Sequence, residues 1–266
     1  MAAERNAADG VRFKIDGPIA WITIDNEAEQ NRLRPEAVLG LKAIAEKLRA
    51  NADVHAVVIR GQGADYFCTG ILNPALRGAL RKDEILDLVF LTAATFDEIE
   101  ALPQVVIAGL NGAVRAGAVE LALACDIRIA AEHVRLSMPE AKWGGFPGAG
   151  GPVRLPQLIG RGRAMELVCT GRDIDAEEML RIGLVERVVA SDEFDRALAD
   201  LAATIARNGP LATRGAKSIM RVRQEPGFRA ARELSDALRR ALEASTDVDE
   251  AIAAHREGRA PRFTGR

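Results

Sequence analysis

The sequence has few of the residues on which several common kinds of protein site depend. Its 266 residues include three histidines and three cysteines, and no two of these have the spacing of a metal-binding motif. We therefore expect no bound metal. No GxSxG motif is present, which argues against a serine hydrolase with a nucleophile elbow. The cysteines are Cys68, Cys125 and Cys169, an odd number at wide separation, and we expect them to be reduced and buried.

An excess of charge and long apolar runs are also missing. Lys and Arg number 36 against 38 Asp and Glu, a formal net charge of -2. This balance gives no general attraction to nucleic acid or to an anionic membrane, and neither is predicted as a partner. Residues 1–13 have no apolar stretch typical of a secretory signal, and no run reaches the ~18 apolar residues of a membrane span. The sequence thus predicts a cytoplasmic protein.

Strand and helix patterns alternate through the first part of the chain. Residues 11–16 and 19–25 predict two strands joined at Gly17 and Pro18, a hairpin-like opening. After it, segments with helical spacing of apolar residues alternate with short apolar runs typical of buried strands. This order predicts an α/β fold with parallel crossovers. The predicted helices are residues 34–50, 84–102 and 117–125, and the predicted strands are residues 54–61, 104–112 and 126–132.

Four amphipathic helical patterns follow residue 191, and no strand pattern occurs among them. The chain is therefore predicted to consist of an α/β core over residues 1–190 and a helical segment over residues 191–266, with no linker between them. The four apolar stripes are more than a terminal segment can easily bury on itself, so we expect contacts between subunits. The helical patterns cover residues 194–209, 211–222, 228–245 and 248–258.

Two glycine-rich segments are candidates for a ligand-binding loop. Residues 145–151, GFPGAGG, lack the GK[ST] ending that a nucleotide-binding P-loop needs. The glycines at 109, 112 and 117 miss the G-x-G-x-x-G spacing of a dinucleotide-binding turn. What remains is Gly117 at the start of a helix, where unpaired backbone N–H groups and the helix dipole favour an oxyanion.

Two glutamates lie in apolar surroundings. Glu120 follows Gly117 within AGAVELALACD, and Glu140 stands between Pro139 and the glycine-rich segment. A buried carboxylate without partners is costly, or its pKa rises until it holds its proton at neutral pH. Glu120 can be structural, bonded to an arginine or a backbone group, and Glu140 can be a helix-start carboxylate. Together they favour general acid–base catalysis on a substrate whose carbonyl gains negative charge.

Five segments together match the pattern of one protein family. They are YFCTG (66–70), residues 105–132, 139–172 and 176–189, and the ending EGRAPRFTGR (257–266). With these segments the chain resembles the crotonase superfamily, the enoyl-CoA hydratases and isomerases, over essentially its whole length. The resemblance implies a spiral α/β core of stacked ββα turns with C-terminal helices that serve trimer assembly. It also implies a homotrimer, or a hexamer of two trimers, that holds an acyl-CoA thioester in a bent pocket.

The resemblance implies roles for four residues at the reacting end of the thioester. The backbone N–H groups of Ile71 and Gly117 would form an oxyanion hole and hold the thioester oxygen as an enolate forms. Glu120 and Glu140 match the family's two hydratase glutamates, which bind one water molecule between them. Glu120 would help to activate this water for attack at C3, and Glu140 would supply the proton to C2. The implied activity is the reversible addition of water to a 2-enoyl-CoA.

The resemblance also implies where the coenzyme part of the substrate is held. The segments around Arg32, Cys68 and Gly70 correspond to CoA contacts. Phe263 is where relatives cover the CoA from the end of the chain. CoA enters as part of the thioester substrate, so no separate cofactor is implied. The glycine-rich segment would shape the acyl pocket beside Glu140.

The sequence departs from the family pattern at two places. Residues 71–78, ILNPALRG, replace the usual A-D-L or A-D-I after the FCxG turn, a change that could remodel the acyl and adenine pockets. Arg115 stands where an apolar residue is common, either as a surface or interface charge or as a partner for Glu120 or a substrate carboxylate. Two other functions stay open. One is an enzyme that isomerises an enoyl-CoA or hydrolyses a C–C bond of a β-diketone without CoA, and the other is a non-catalytic acyl-CoA-binding or assembly protein.

Overall fold

Ten strands in two β-sheets lie within residues 10–224 and 228–261, the part of the chain that the computed structural model describes. Six strands form the larger sheet and four short strands form the smaller one. Phe263, a predicted CoA contact, lies outside the described residues. The strands are β1 (Val11–Asp16), β2 (Ile19–Ile24), β3 (Ala56–Gly61), β4 (Tyr66–Cys68), β5 (Val105–Leu110), β6 (Ala113–Arg115), β7 (Ile127–Ala131), β8 (Arg135–Ser137), β9 (Ile174–Asp175) and β10 (Arg187–Val189).

Eleven α-helices connect and cover the strands within the same described ranges. Two 3-10 helices accompany them, at Glu27–Glu29 and at Pro139–Trp143. None of the described helices is long and apolar enough to cross a membrane. The α-helices are α1 (Pro35–Arg49), α2 (Pro74–Ala79), α3 (Lys82–Glu100), α4 (Gly117–Leu123), α5 (Gly151–Ile159), α6 (Arg161–Thr170), α7 (Ala176–Arg181), α8 (Phe194–Arg207), α9 (Pro210–Gln224), α10 (Phe228–Glu243) and α11 (Thr246–Glu257).

The larger sheet has the strand order β1-β2-β3-β5-β7-β10. β1 and β2 form the predicted antiparallel hairpin, and each later strand lies parallel to its neighbours. In β3, β5 and β7 nearly every residue is buried, because other elements cover both faces of the sheet. Burial on both faces is why these strands are continuous apolar runs in the sequence. The predicted α/β fold with parallel crossovers is confirmed.

The smaller sheet consists of strands only two or three residues long, in the order β4-β6-β8-β9. β4, β6 and β8 each follow a strand of the larger sheet after a short connection, and a helix follows each of them. This repeated unit winds the chain into stacked turns, as the resemblance implies. The turns touch closely. A Cβ on Gly112 would lie 2.3 Å from the backbone nitrogen of Tyr66 in the preceding turn, so no larger residue can be placed there.

Four helices, α8 to α11, follow the last strand, as the sequence pattern predicts. α8 packs against four strands of the larger sheet, α10 packs against α3 and α5, and α11 packs against α2. The helical segment therefore lies directly on the core, and α10 reaches the region of the two predicted acids. The division of the chain into two domains at residue 190 stays a prediction.

The three cysteines do not share one environment. Cys68 and Cys125 are buried free thiols, as expected, and burial raises the pKa of each to about 12. Cys169 is a free thiol on the exposed side of α6, so the expectation that it is buried is wrong. Its sulfur lies 3.4 Å from the sulfur of Met165, which is itself exposed. α6 buries little of its surface, and a cysteine within it has no core to enter.

Candidate active site

The helix that carries Glu120 begins directly after a short strand. β6 ends at Arg115 and α4 begins at Gly117, so the single residue Ala116 joins them. Ala116 has φ 52° and ψ -128°, a conformation that residues with a Cβ rarely adopt and that costs about 1–3 kcal/mol. Its N–H donates to the carbonyl oxygen of Ser137 at 3.0 Å. The strained residue sets the direction in which the first turn of α4 leaves the sheet.

Glycine substitution tests the strain at Ala116. Ala116→Gly removes one buried methyl group but relieves the positive φ, so we expect the free energy of unfolding to change by less than about 1 kcal/mol. Ala118→Gly is the matched control, because Ala118 is buried inside α4 without this strain. We expect the control to lose about 1–2 kcal/mol. Urea denaturation measures both variants, and equal losses would contradict the assignment of strain to Ala116.

Two backbone N–H groups lie close together beside this turn, those of Ile71 and Gly117. Neither has a backbone acceptor among the described residues. A Cβ built on Gly70 would lie 2.9 Å from the nitrogen of Gly117, and one built on Gly117 would lie 3.7 Å from the nitrogen of Ile71. The Cβ on Gly117 would also lie 2.8 Å from Cγ1 of Ile71, so only glycine leaves the space open. The pair is a candidate oxyanion site.

Glu120 is buried in the first turn of α4, with 2% of its surface exposed. Its Oε1 accepts hydrogen bonds from the N–H groups of Ala149 and Gly151, both at 2.7 Å. These donors belong to the glycine-rich segment, where Gly150 has φ 115°, a value that favours glycine. The segment therefore forms a wall of the site and holds the carboxylate in place.

Glu140 lies in the 3-10 helix Pro139–Trp143. Its Oε2 is shielded from solvent and has no hydrogen-bond partner among the described residues. Burial, and after it the negative charge of Glu120, raises the pKa of Glu140 to about 8. Glu140 is therefore mostly protonated at neutral pH.

The two acids differ in the protonation state that their surroundings favour. Burial also raises the pKa of Glu120, but the N–H groups of Gly151 and Ala149 stabilise its charged form. The Oε2 of Glu140 has no such donor in the described part of the chain, and only its own backbone N–H and the charge of Arg239 favour its charged form. The surroundings therefore favour the charged form more strongly at Glu120 than at Glu140. A charged and a protonated carboxyl group at one site are what acid–base catalysis needs.

Both glutamates line one cavity of about 30 Å³. This is room for one or two ordered water molecules. Ile71 and Gly117 line it too, so the structure brings together the four residues predicted for the reacting end of a thioester. The other lining residues are Leu72, Arg77, Val89, Ala116, Trp143, Phe146, Gly148, Ala149 and Arg239.

Comparison with known proteins relates this geometry to a family. Residues 14–266 match the family described as enoyl-CoA hydratase/isomerase. The chain belongs to the enoyl-CoA hydratase/isomerase family. This membership confirms the resemblance of the sequence to the crotonase superfamily, because the match covers nearly the whole chain.

Individual relatives and solved structures of the enoyl-CoA hydratase/isomerase family are similar to this chain in sequence and in fold. YngF of Bacillus subtilis, named as an enoyl-CoA hydratase/isomerase, is 41% identical over 79% of this chain and 80% of its own. The short-chain-enoyl-CoA hydratase of Clostridium acetobutylicum is 33% identical over 79% of this chain and 80% of its own. A crystal structure of enoyl-CoA hydratase from Bacillus anthracis covers 97% of this chain and 100% of its own, with 33% identity and a TM-score of 0.77. The stacked turns are the crotonase fold.

In this member of the enoyl-CoA hydratase/isomerase family, Arg115 is not a partner of Glu120. Its side chain is 43% exposed, donates to Oγ of Ser137 at 3.2 Å and pairs with Asp173 at 3.4 Å. Of the two interpretations of Arg115 from the sequence, the structure favours the surface charge.

Residues 71–78, which depart from the family pattern, include the start of helix α2. Asn73 accepts a hydrogen bond from a backbone N–H at 2.9 Å, and Pro74 occupies the first position of α2. No helix is predicted here from the apolar pattern, although Asn-Pro is a helix-start signal. α2 carries Arg77 to the cavity wall.

The structure places the predicted CoA contacts Arg32, Cys68 and Gly70 in one region. The N–H of Leu33 donates to the carbonyl oxygen of Gly70 at 2.9 Å, and the nitrogen of Gly70 lies 3.2 Å from Sγ of Cys68. Arg32 pairs with Glu29 at 2.6 Å. Their contact with CoA stays a prediction. Across the described ranges, no group of three or more His, Cys, Asp and Glu side chains is placed to hold a metal ion.

Two residues of the cavity wall, Arg77 and Arg239, were not predicted as site residues. Both are buried, and Glu243 pairs with them through one oxygen, Oε2, at 2.7 Å from Arg77 and 3.8 Å from Arg239. Arginines on helices usually lie on solvent-facing surfaces, and no local signal in the sequence marks these two as buried.

Proposed function

We propose that this protein is an enoyl-CoA hydratase, which adds water across the C2–C3 double bond of a 2-enoyl-CoA. The observation that carries the proposal is the pair of acids on one small cavity, with Glu120 favoured as carboxylate and Glu140 as acid. Moving a double bond needs one group that carries a proton. Adding water needs one group that accepts a proton and another that donates one, and the cavity offers both.

Each step of the reaction can be assigned to a residue of the chain. The N–H groups of Ile71 and Gly117 receive the thioester oxygen, where negative charge develops as C3 is attacked. Glu120 accepts a proton from water as the water oxygen bonds to C3. Glu140 gives its proton to C2, and the proton that Glu120 has taken up then replaces it. One water molecule is added, and both acids return to their first state.

Turnover of crotonyl-CoA tests the proposal. The purified protein is expected to remove the absorbance of the conjugated enoyl thioester, and kcat/KM is expected to fall above a pH of about 8 as Glu140 loses its proton. A 3-enoyl-CoA, assayed at the same protein concentration, measures isomerisation. Conversion of the 3-enoyl-CoA without hydration of crotonyl-CoA would reject the hydratase in favour of an isomerase. Neither reaction with these substrates or with a carboxylated 2-enoyl-CoA, together with a thermal stability raised by crotonyl-CoA, would identify a non-catalytic binding protein.

We propose further that the protein assembles as a homotrimer or as a hexamer of two trimers. Support comes from α9, on which Leu211, Ile219 and Met220 are 82%, 73% and 67% exposed in the single chain. Large apolar side chains exposed together often mark a contact between proteins. Sedimentation equilibrium at micromolar concentration is expected to give three or six times the chain mass of 28.6 kDa. A mass of one chain would reject this assembly.

A further inference from the structure

Two buried arginines reach the cavity of Glu120 and Glu140 from distant parts of the chain. Arg77 comes from α2 and Arg239 from α10, and both line the cavity. Arg77 is 6% exposed and Arg239 is 3% exposed. Taking a guanidinium group out of water is costly unless opposite charge and hydrogen bonds compensate for it. The two arginines therefore need partners at the cavity wall.

Other described residues of the protein pair with some of the N–H groups of Arg77 and Arg239 but not with all of them. Nη2 of Arg77 donates to Oε2 of Glu243 at 2.7 Å, and Nη1 of Arg239 donates to the carbonyl oxygen of Phe146 at 3.1 Å. The Nε atoms of both arginines are buried and have no hydrogen-bond partner among the described residues. Glu243 contacts both guanidinium groups, and its one negative charge balances one of their two positive charges. Proteins rarely leave buried donors unpaired, so these two indicate a group that the protein does not itself contain.

Both guanidinium groups border the glycine-rich wall beside Glu140. A Cβ built on Gly145 would lie 3.2 Å from Nη1 of Arg77, 3.8 Å from Nη1 of Arg239 and 3.5 Å from the carbonyl oxygen of Glu140. A Cβ built on Gly148 would lie 3.6 Å from Nε of Arg239. Glycine at both positions keeps the space in front of the guanidinium groups open.

The positive charges of Arg77 and Arg239 repel each other at the cavity wall. Burial, and after it the positive charge of Arg77, lowers the pKa of Arg239 to about 10. Glu140 is mostly protonated at neutral pH and offsets little of this charge. The carboxylate of Glu120 is held by two backbone N–H groups and attracts Arg239 less strongly than Glu243 does. A further carboxylate at the arginines would relieve the repulsion between them.

We propose that the acyl group of the substrate carries a carboxylate and that Arg77 and Arg239 bind it. This inference rests on the proposed function and adds the substrate class, a 2-enoyl-CoA whose acyl chain ends in a carboxylate. Two guanidinium groups hold a carboxylate by charge-assisted hydrogen bonds, whereas an uncharged acyl chain leaves them unpaired. A purely structural ion-pair cluster between α2 and α10 would stabilise the fold but would not distinguish these substrates.

Two substrates of equal length test the inference. 4-Carboxybut-2-enoyl-CoA and 2-pentenoyl-CoA differ only at the end of the acyl chain, where one has a carboxylate and the other a methyl group. We expect the wild type to have a kcat/KM at least about tenfold higher for the carboxylated substrate, because the uncharged one leaves buried donors unpaired. Both substrates are measured with one preparation, so the ratio of the two values does not depend on how much of the protein is folded.

Methionine variants test whether Arg77 and Arg239 cause the preference for the carboxylated substrate. Arg239→Met keeps much of the side-chain length without the charge, and we expect it to lower the ratio about tenfold, towards one. Arg77→Met, on a different helix, should lower the same ratio. The matched control is Arg240→Met, one residue further along α10 and exposed, for which the ratio should stay within about twofold of the wild type.

The outcomes separate the inference from the proposed function. A wild-type ratio of one or less would overturn the carboxylate site and leave hydration intact. An unchanged ratio in both Arg77→Met and Arg239→Met would show that the arginines are structural, and would overturn it as well. If neither substrate is hydrated, the proposed function is rejected and the inference with it.

Discussion

The Glu120→Gln and Glu140→Gln variants are expected to lower kcat for hydration of crotonyl-CoA by about a hundredfold or more. The amide of Glu120→Gln cannot accept a proton from water, although its oxygen can still receive the N–H groups of Ala149 and Gly151. The amide of Glu140→Gln occupies the same space as the acid but has no proton acidic enough to pass to C2. The substitutions therefore remove the proton transfers and preserve the shape of the cavity.

Initial rates of absorbance loss at saturating crotonyl-CoA measure both variants. Glu177→Gln, an exposed glutamate on α7, is the control and should stay within about twofold of the wild type. The decline of kcat/KM above a pH of about 8, expected for the wild type, should be absent from the residual activity of Glu140→Gln. A kcat above about a third of the wild-type value would rule out that residue as a carrier of the proton.

Glu140→Gln is also expected to change how stability depends on pH. The pKa of Glu140 in the folded protein, about 8, lies above its ordinary value of 4.5. Below pH 4.5 the carboxyl group is protonated in both the folded and the unfolded state, and its contribution to stability is fully present. As the pH rises towards 8, the unfolded chain ionises while the folded protein does not, so the wild type loses stability that the variant keeps. We expect a loss of about 2–4 kcal/mol across this window.

Urea denaturation near the two ends of this pH window measures the effect. Glu140→Gln and the wild type should differ least at the acidic end, and the variant should be the more stable protein at the alkaline end. Glu177→Gln should follow the wild type throughout. A constant difference between Glu140→Gln and the wild type would show that Glu140 titrates normally in the folded protein. The expected result is a variant that gains stability as it loses activity, as is common at active sites.

The long elements could be predicted from the sequence because their side chains repeat with a clear period. α1 and α3 each bury one apolar face, and β3 and β5 are apolar throughout because they are buried on both faces. The smaller sheet could not be predicted in this way. β4, β6 and β8 have three residues each, too few to show an alternation with a period of two.

The candidate site could be predicted where its residues conflict with their surroundings. A glutamate among apolar residues and glycines before a helix are local signals, and the structure places Gly117, Glu120 and Glu140 on one cavity. Arg77 and Arg239 give no such signal. Arg77 is buried because it contacts Glu243, which is 166 residues away in the sequence. Contacts between such distant residues follow from the fold and cannot be predicted from a local pattern.

Because α10 lies near the end of the chain, the residues of the site are synthesised at different times. Translation delivers Glu120 and Glu140 well before it delivers α10, and chains begin to fold from the part made first. A nascent chain made as far as residue 190 therefore carries both acids but lacks Arg239, which lines their cavity. α10, which is translated after both acids, adds the last of the described residues that line the cavity. An interrupted chain would hold the acids without one of the cationic walls of their pocket.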